Sequence, residues 1–221
     1  MIVNVYGVQS EKVVRWFLQS HPNIGVWVDL GCGNGEYLEA INFKPRVGVG
    51  VDVARPKNLP PNFRFEKNEI NRWLDINQGR FFDLISMFDV VEHFPKEEAL
   101  KLIDRAKHLA ENLIISTPSG FLRQDAKTHP EEKDNPWQWH KCGFEPEEFE
   151  ELGFLVFVLK NYHYKPPGND KTFDKLVCFW STNPSSYSSL ARSVRIKTLI
   201  YILWPLHFYR MIRNVFVRPL S

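Results

Sequence analysis

The chain has 221 residues, 43% hydrophobic and 24% charged, which fits one folded domain with a small appendage. That length can bury a core without disulfides, and the composition excludes a disordered, collagen-like or cysteine-stapled chain. The net charge of +2 is an average of two unlike parts, because residues 1–174 carry a net −5 while residues 175–221 hold seven basic side chains and no acid. That distribution excludes a strongly basic nucleic-acid binder as the description of the whole chain, and it points the last fifth at an anionic partner.

Residues 9–20 place Val13, Val14, Trp16, Phe17 and Leu18 as an amphipathic helix would, before a His21-Pro22-Asn23 turn. Gly25–Leu30 is a short apolar strand that runs into a glycine loop, and Glu36–Asn42 continues as a helix. Strands follow at Arg46–Val53, Asn62–Glu66 and Phe81–Phe88. Pro95 fits the start of a helix from Lys96 to about Ala110, whose apolar positions fall on one face. Asn112–Ser116 is continuously apolar, as a parallel strand buried on both faces requires.

After Thr117 the regularity lapses for about 28 residues, a length that in a compact domain marks a lid or binding loop. Order returns with a short acidic helix at Pro146–Leu152, then strands at Phe154–Asn161 and Phe173–Trp180 that read as a hairpin. Strands alternating with helices imply an α/β, doubly wound sheet with its ligand at the carboxyl ends of the strands. The expected organisation is a domain over 1–182, a linker over 183–193, and an apolar-basic segment over 194–221.

Cys32, Cys142 and Cys178 are odd in number and widely spaced, as reduced thiols in a cytoplasmic protein would be. The N-terminal residues lack the basic-then-apolar pattern of a signal peptide. The longest charge-free run in the tail, Thr198–Tyr209, would span roughly 18 Å as a helix, too short to cross a bilayer, and Pro205 interrupts it.

The most specific signal is Asp29-Leu30-Gly31-Cys32-Gly33-Asn34-Gly35 at the end of a strand. Glycines let the chain turn sharply and bring a ligand close to the backbone. The dinucleotide fingerprint would require glycine where this chain has Glu36. An acid just before the loop repels a pyrophosphate and attracts an ammonium or sulfonium. Asp52, at the end of the next strand, is placed to accept hydrogen bonds from a ribose diol.

These residues resemble the class I S-adenosylmethionine-dependent methyltransferases, over roughly residues 9–182 and in the family's motif order. The resemblance implies a mostly parallel, seven-stranded Rossmann-like sheet ending in an antiparallel hairpin. It also implies S-adenosylmethionine as cofactor, with S-adenosylhomocysteine as product. Asp29, Gly31, Cys32, Gly33 and Gly35 look like the first cofactor motif, and Asp52 with Val53 like the ribose-binding pair. Glu69 and Ile70 take the place of the adenine-binding segment, where the family more often has Gly-Asp. Phe82-Asp83 through Phe88-Asp89 and on to Glu92-His93-Phe94 is similar to the fourth-strand signature of the small-molecule branch, types 11 and 12, and places Phe88 against the cofactor.

Methyl transfer is an in-line displacement that needs a base only when the acceptor must lose a proton. His93, just after the fourth strand, is the first candidate base, and His140 in Trp137-Gln138-Trp139-His140 is the second. His93 and Glu92 acting only to buttress the loop is the competing reading. Asp89, Glu92 and His93 have D-x-x-E-H spacing, similar to the E-x-x-E-H segment of the quinone-type O-methyltransferases that use magnesium. The same Glu-His pair occurs in metal-free relatives, so Mg2+ stays a secondary expectation and no residue is assigned as a metal ligand.

Residues 192–218 join bulky apolar side chains to flanking arginines and a lysine, which suits a segment lying on an anionic membrane surface. A segment folded back on the domain or into a dimer is the alternative. Nucleic acid is disfavoured by the net-negative core and by the missing Asn/Asp-Pro-Pro-aromatic motif. The leading expectation is therefore a methyltransferase acting on an oxygen of a small-molecule or lipid-linked acceptor, cytoplasmic and peripheral on the inner membrane face. The alternatives are an idle cofactor-binding scaffold anchored by its tail, or an RNA or protein methyltransferase.

Overall fold

The computed structural model describes residues 1–125, 134–163, 172–187, 190–192 and 194. An eight-stranded sheet forms the centre: β1 (Ile2–Tyr6), β2 (Val26–Leu30), β3 (Val47–Asp52), β4 (Phe63–Lys67), β5 (Phe82–Phe88), β6 (Ala110–Pro118), β7 (Leu155–His163) and β8 (Phe173–Ser181). The strands lie in the order β1-β7-β8-β6-β5-β2-β3-β4. All pairings are parallel except those of β8, which runs antiparallel to both β6 and β7. The expected doubly wound sheet with its antiparallel hairpin is present, with one strand more than the seven anticipated. The addition is β1, in which Val3 and Val5 are buried while Asn4 and Tyr6 face solvent. It extends the sheet by pairing parallel to β7, Val3 opposite Phe157.

The helices are α1 (Ser10–Ser20), α2 (Glu36–Ile41), α3 (Ile70–Ile76), α4 (Lys96–Leu109) and α5 (Pro146–Glu151). Alternate strand residues feed two cores. One packs Val28, Ile85, Met87, Leu113 and Val156 against Trp73 of α3, Leu102 of α4 and Phe149 of α5. The other packs Trp27, Leu84, Ile114, Phe157 and Phe179 against Phe17 of α1 and Leu38 of α2. α3 had no counterpart among the expected elements; its apolar residues Ile70, Trp73 and Leu74 fill barely two turns.

The expected linker is exposed at Asn183, Pro184, Ser185 and Arg192 but packs at Leu190 and Ala191, as does Val194 just beyond it. Leu190, Ala191 and Val194 are buried in the second core, and the Ser181 amide donates to the Tyr187 hydroxyl at 2.5 Å. Residues 195–221, nearly all of the apolar-basic segment, lie outside the described residues. Among the described residues, no helix is long and apolar enough to cross a membrane.

Candidate functional site

Because β2 through β6 are parallel, the loops that follow them gather at one end of the sheet. There the chain leaves β2 through Gly31, Gly33 and Gly35, all with positive φ of 76°, 51° and 83°. The three glycines serve different ends. A Cβ on Gly31 would sit 2.6 Å from the Val90 side chain, and one on Gly35 would meet the Asn58 carbonyl oxygen at 2.7 Å. Those two let the loop pack against its neighbours. A Cβ on Gly33 would meet no atom of the described residues within 4 Å, and Gly33 is exposed, so this part of the backbone is open to a ligand. Cys32 turns inward, its sulfur against Gly50 and its amide donating to the Val51 carbonyl at 3.1 Å. Burial raises its thiol pKa, which keeps it an unreactive packing group.

Asp52, at the end of β3, clamps this loop. Its carboxylate accepts the Gly33 amide at 2.9 Å and the Ala54 amide at 3.0 Å. Val53 beside it is half-buried. The Asp52 carbonyl accepts the Asn68 amide at 3.0 Å, which ties down the turn into α3. Glu69 is exposed at the start of that helix, and the half-buried Ile70 reaches toward Gly31.

Asp29 is only 2% exposed. Its Oδ1 accepts the Ser86 hydroxyl, whose oxygen accepts the Trp27 indole N–H at 2.7 Å. Burial pushes the Asp29 carboxyl up to about 8, against the lowering effect of the Ser86 hydrogen bond. A ligand bearing an ammonium would restore its ionised form.

β5 ends in Phe88, whose ring stacks on Tyr37 of α2 with centroids 4.2 Å apart. Asp89 then takes a left-handed φ of 53°. It is held there by its amide to the Ser116 carbonyl, by the Ser116 hydroxyl, and by Lys175 Nζ at 2.6 Å. Lys175 is 3% exposed and lies 5.3 Å from the ring of Tyr37 and 5.2 Å from that of Tyr162. Burial opposes its charge, but the Asp89 carboxylate, together with Tyr162 and Glu92, outweighs burial and holds the pKa above the usual lysine value. The Lys175–Asp89 pair was not anticipated from the sequence.

Beyond Val90, a single 3-10 turn, Val91–His93, sets Glu92 inward and His93 toward the long loop. That loop is stitched onto the turn. The Lys141 and Cys142 amides donate to the Glu92 carbonyl at 2.7 and 3.2 Å. His93 Nδ1 lies 3.3 Å from the Trp139 carbonyl, and His140 Nδ1 lies 2.6 Å from the Leu122 carbonyl. The loop closes on itself where Gly120 and Phe144 pair, with Gly143 so near Gly120 that a Cβ there would clash with backbone. Trp139 is half-buried and Trp137 is 54% exposed. Residues 126–133 of this loop lie outside the described residues.

The two candidate bases therefore meet, although 47 positions separate them in the sequence. Their rings lie edge to face with centroids 5.0 Å apart. Burial lowers the His93 pKa below the usual imidazole value and keeps the ring neutral at pH 7. Both carboxylate oxygens of Glu92 are buried, and among the described residues neither makes a well-aligned hydrogen bond, although the Thr117 hydroxyl lies near enough to lower the pKa; burial, with the charge of Asp89, outweighs it and raises the pKa of this group.

The sequence profile of a family described as a methyltransferase domain matches residues 9–163. No curated protein sequence gives a significant match. Among solved structures, the chain is similar to the N-methyltransferase NodS from Bradyrhizobium japonicum WM9 in complex with S-adenosyl-L-homocysteine. That match has 15% identity and a TM-score of 0.52, covering 79% of this chain and 85% of that one. The small RNA methyltransferase HEN1 matches with 16% identity and a TM-score of 0.50, over 80% of this chain and 26% of that one. An O-methyltransferase family protein from Burkholderia thailandensis matches with 16% identity and a TM-score of 0.48, over 78% of this chain and 56% of that one. The chain thus spans little more than half the length of that protein. At these identities the likeness is one of fold.

Proposed function

This chain belongs to the methyltransferase domain family; from that premise we propose that it is an S-adenosylmethionine-dependent methyltransferase acting on an oxygen of a small-molecule or lipid-linked acceptor. The cofactor, when bound, supplies an electrophilic methyl group. The open backbone at Gly33 fits a ligand lying over the glycine loop. Asp52 would hold its ribose and Glu69 with Ile70 would line its adenine. The buried acid Asp29 answers its positive charge.

The observation that carries the oxygen reading is the pairing of His93 with His140 at the ligand end of the sheet. A hydroxyl must lose its proton as it is methylated, and a neutral imidazole within reach can accept it. Burial keeps His93 in that neutral form. A neutral amine acceptor would need no such group before transfer.

The test is incubation of the full-length protein with methyl-labelled cofactor and either a membrane-lipid extract or an aqueous metabolite extract. An O-methylated product is expected, with His93→Ala lowering kcat and leaving cofactor affinity unchanged. A product methylated only at nitrogen would overturn the oxygen reading.

Attachment to an anionic membrane surface through residues 192–218, on the inner membrane face of the cytoplasm, is proposed from composition. Because Leu190, Ala191 and Val194 belong to the core, the informative truncation ends after Val194. Full-length protein should sediment with anionic vesicles and the truncated form should not. Equal sedimentation of both would refute attachment through the tail.

A further inference from the structure

Asp89 closes β5 with a side chain that is 41% exposed, although its ion-pair partner Lys175 is buried. The carboxylate is fixed from the inner side. The Ser116 hydroxyl reaches Oδ1 at 3.2 Å, and Lys175 Nζ reaches Oδ2 at 2.6 Å. Each carboxylate oxygen can accept two hydrogen bonds, so each keeps one lone pair for the open side. Among the described residues no other side chain donates to them. From this geometry we infer that Asp89 binds the substrate of methylation, and that it selects a neutral vicinal diol, with two hydroxyls on adjacent carbons. The inference names the substrate class of the site proposed above and rests on the oxygen reading.

Charge decides against ionic substrates. A bare carboxylate would draw an ammonium or guanidinium, but this one already holds the charge of Lys175. An anionic substrate would need a cation within reach, and Lys175 is 3% exposed. Burial pushes the Glu92 carboxyl up to about 8 and keeps the His93 ring neutral, so at pH 7 neither adds a full charge. Together these four groups leave the end of β5 close to neutral, while Asp89 still accepts hydrogen bonds. Hydroxyls are what such a place holds.

Position asks for two of them. The charge of Asp89 acts on both the Tyr37 phenol and the His93 ring, so it stands between the helix that follows the glycine loop and the candidate base. A carboxylate and a neutral imidazole side by side call for two donors on neighbouring atoms. Asp89 holds one hydroxyl and leaves the adjacent one, the one methylated, to His93. Flat apolar surface flanks the pair, from Tyr37 stacked on Phe88 at 4.2 Å and from half-buried Trp139, whose carbonyl lies 3.3 Å from His93 Nδ1. Aromatic walls with a few placed polar groups are the usual make-up of a small-molecule site.

The experiment uses the full-length protein, methyl-labelled cofactor, and the lipid and aqueous extracts with and without prior periodate oxidation. Periodate destroys aliphatic and aromatic vicinal diols alike, and it is removed before the protein is added. O-methylation should fall about tenfold or more in the treated extract. The near-ultraviolet absorbance of the purified substrate then tells an aromatic diol from an aliphatic one. Asp89→Asn alone strands the Lys175 ammonium, so Lys175→Met is compared with the double variant that adds Asp89→Asn. The double variant should be about tenfold or more less active on the diol than Lys175→Met, with equal affinity for S-adenosylhomocysteine. Thermal unfolding establishes that both are folded. Equal O-methylation by the two variants, or O-methylation that survives periodate, overturns the inference and leaves the oxygen reading standing. Absence of any O-methylated product overturns the oxygen reading, and the inference with it.

Discussion

Lys175 Nζ donates to Asp89 Oδ2 at 2.6 Å, joining the start of β8 to the end of β5, with the lysine buried and the aspartate 41% exposed. The two partners therefore depend on each other unequally. Asp89→Asn strands an ammonium away from water and should cost about 3 kcal/mol, the scale for breaking a buried pair. Lys175→Met leaves a carboxylate that water can reach and should cost about 1 kcal/mol. Urea unfolding of the two variants measures the difference, and the reverse order would show that Lys175 is not buried as described.

Cofactor affinity should rise with pH. Asp29 has its pKa raised to about 8 in the free protein, so at pH 6 it is mostly protonated. A ligand ammonium favours the ionised carboxylate, and binding below pH 8 must therefore expel a proton. Affinity for S-adenosylhomocysteine should strengthen severalfold between pH 6 and pH 8, with proton release seen by calorimetry in buffers of different ionisation heat. Asp29→Asn should bind weakly at both values and lose the pH dependence.

Asp52→Ala removes the acceptor for the Gly33 and Ala54 amides as well as the expected ribose contact. Both amides are reached by water, so the cost to stability should stay near 1 kcal/mol. The effect on the cofactor should be larger, about tenfold or more in Kd by calorimetry. Unchanged affinity would remove Asp52 from the cofactor site.

Stability should fall as pH rises toward 8. Asp29 and Glu92 each have a folded pKa near 8, against ordinary values of 3.8 and 4.5. A raised carboxyl pKa gives stability that is full below the unfolded value and lost as pH climbs through the folded one. His93 acts oppositely, its lowered pKa removing stability as pH drops below 6.5. Two groups outweigh one, so Tm should be higher at pH 6 than at pH 8.5, and Asp29→Asn should flatten that slope.

Much of the site was legible in the sequence because it is local. The glycine loop, Asp52 and the Glu92-His93 pair each declare themselves within a few residues of a strand end. What escaped was short or distant. Ile2–Tyr6 alternates over only five residues, too few to separate from a loose N-terminal stretch, and α3 fills seven. His140 was marked by its aromatic neighbours, but only the pairing of Gly120 with Phe144 and the amides on Glu92 bring it to His93.

Lys175 shows how composition can mislead. Counted by sequence it opens the basic tail, whereas in the fold it is buried beside Asp89. One unit of the tail's charge belongs to the core, where it offsets a carboxylate.

The chain of bonds from Trp27 through Ser86 to Asp29 also makes the protein its own optical probe. Ser86 has a single hydroxyl hydrogen, given to the carboxylate while its oxygen holds the indole. Any change in the charge of Asp29 thus alters the field at a fully buried tryptophan one hydroxyl away. Cofactor arrival should be readable as a shift in Trp27 emission, abolished in Ser86→Ala, with no dye or label attached.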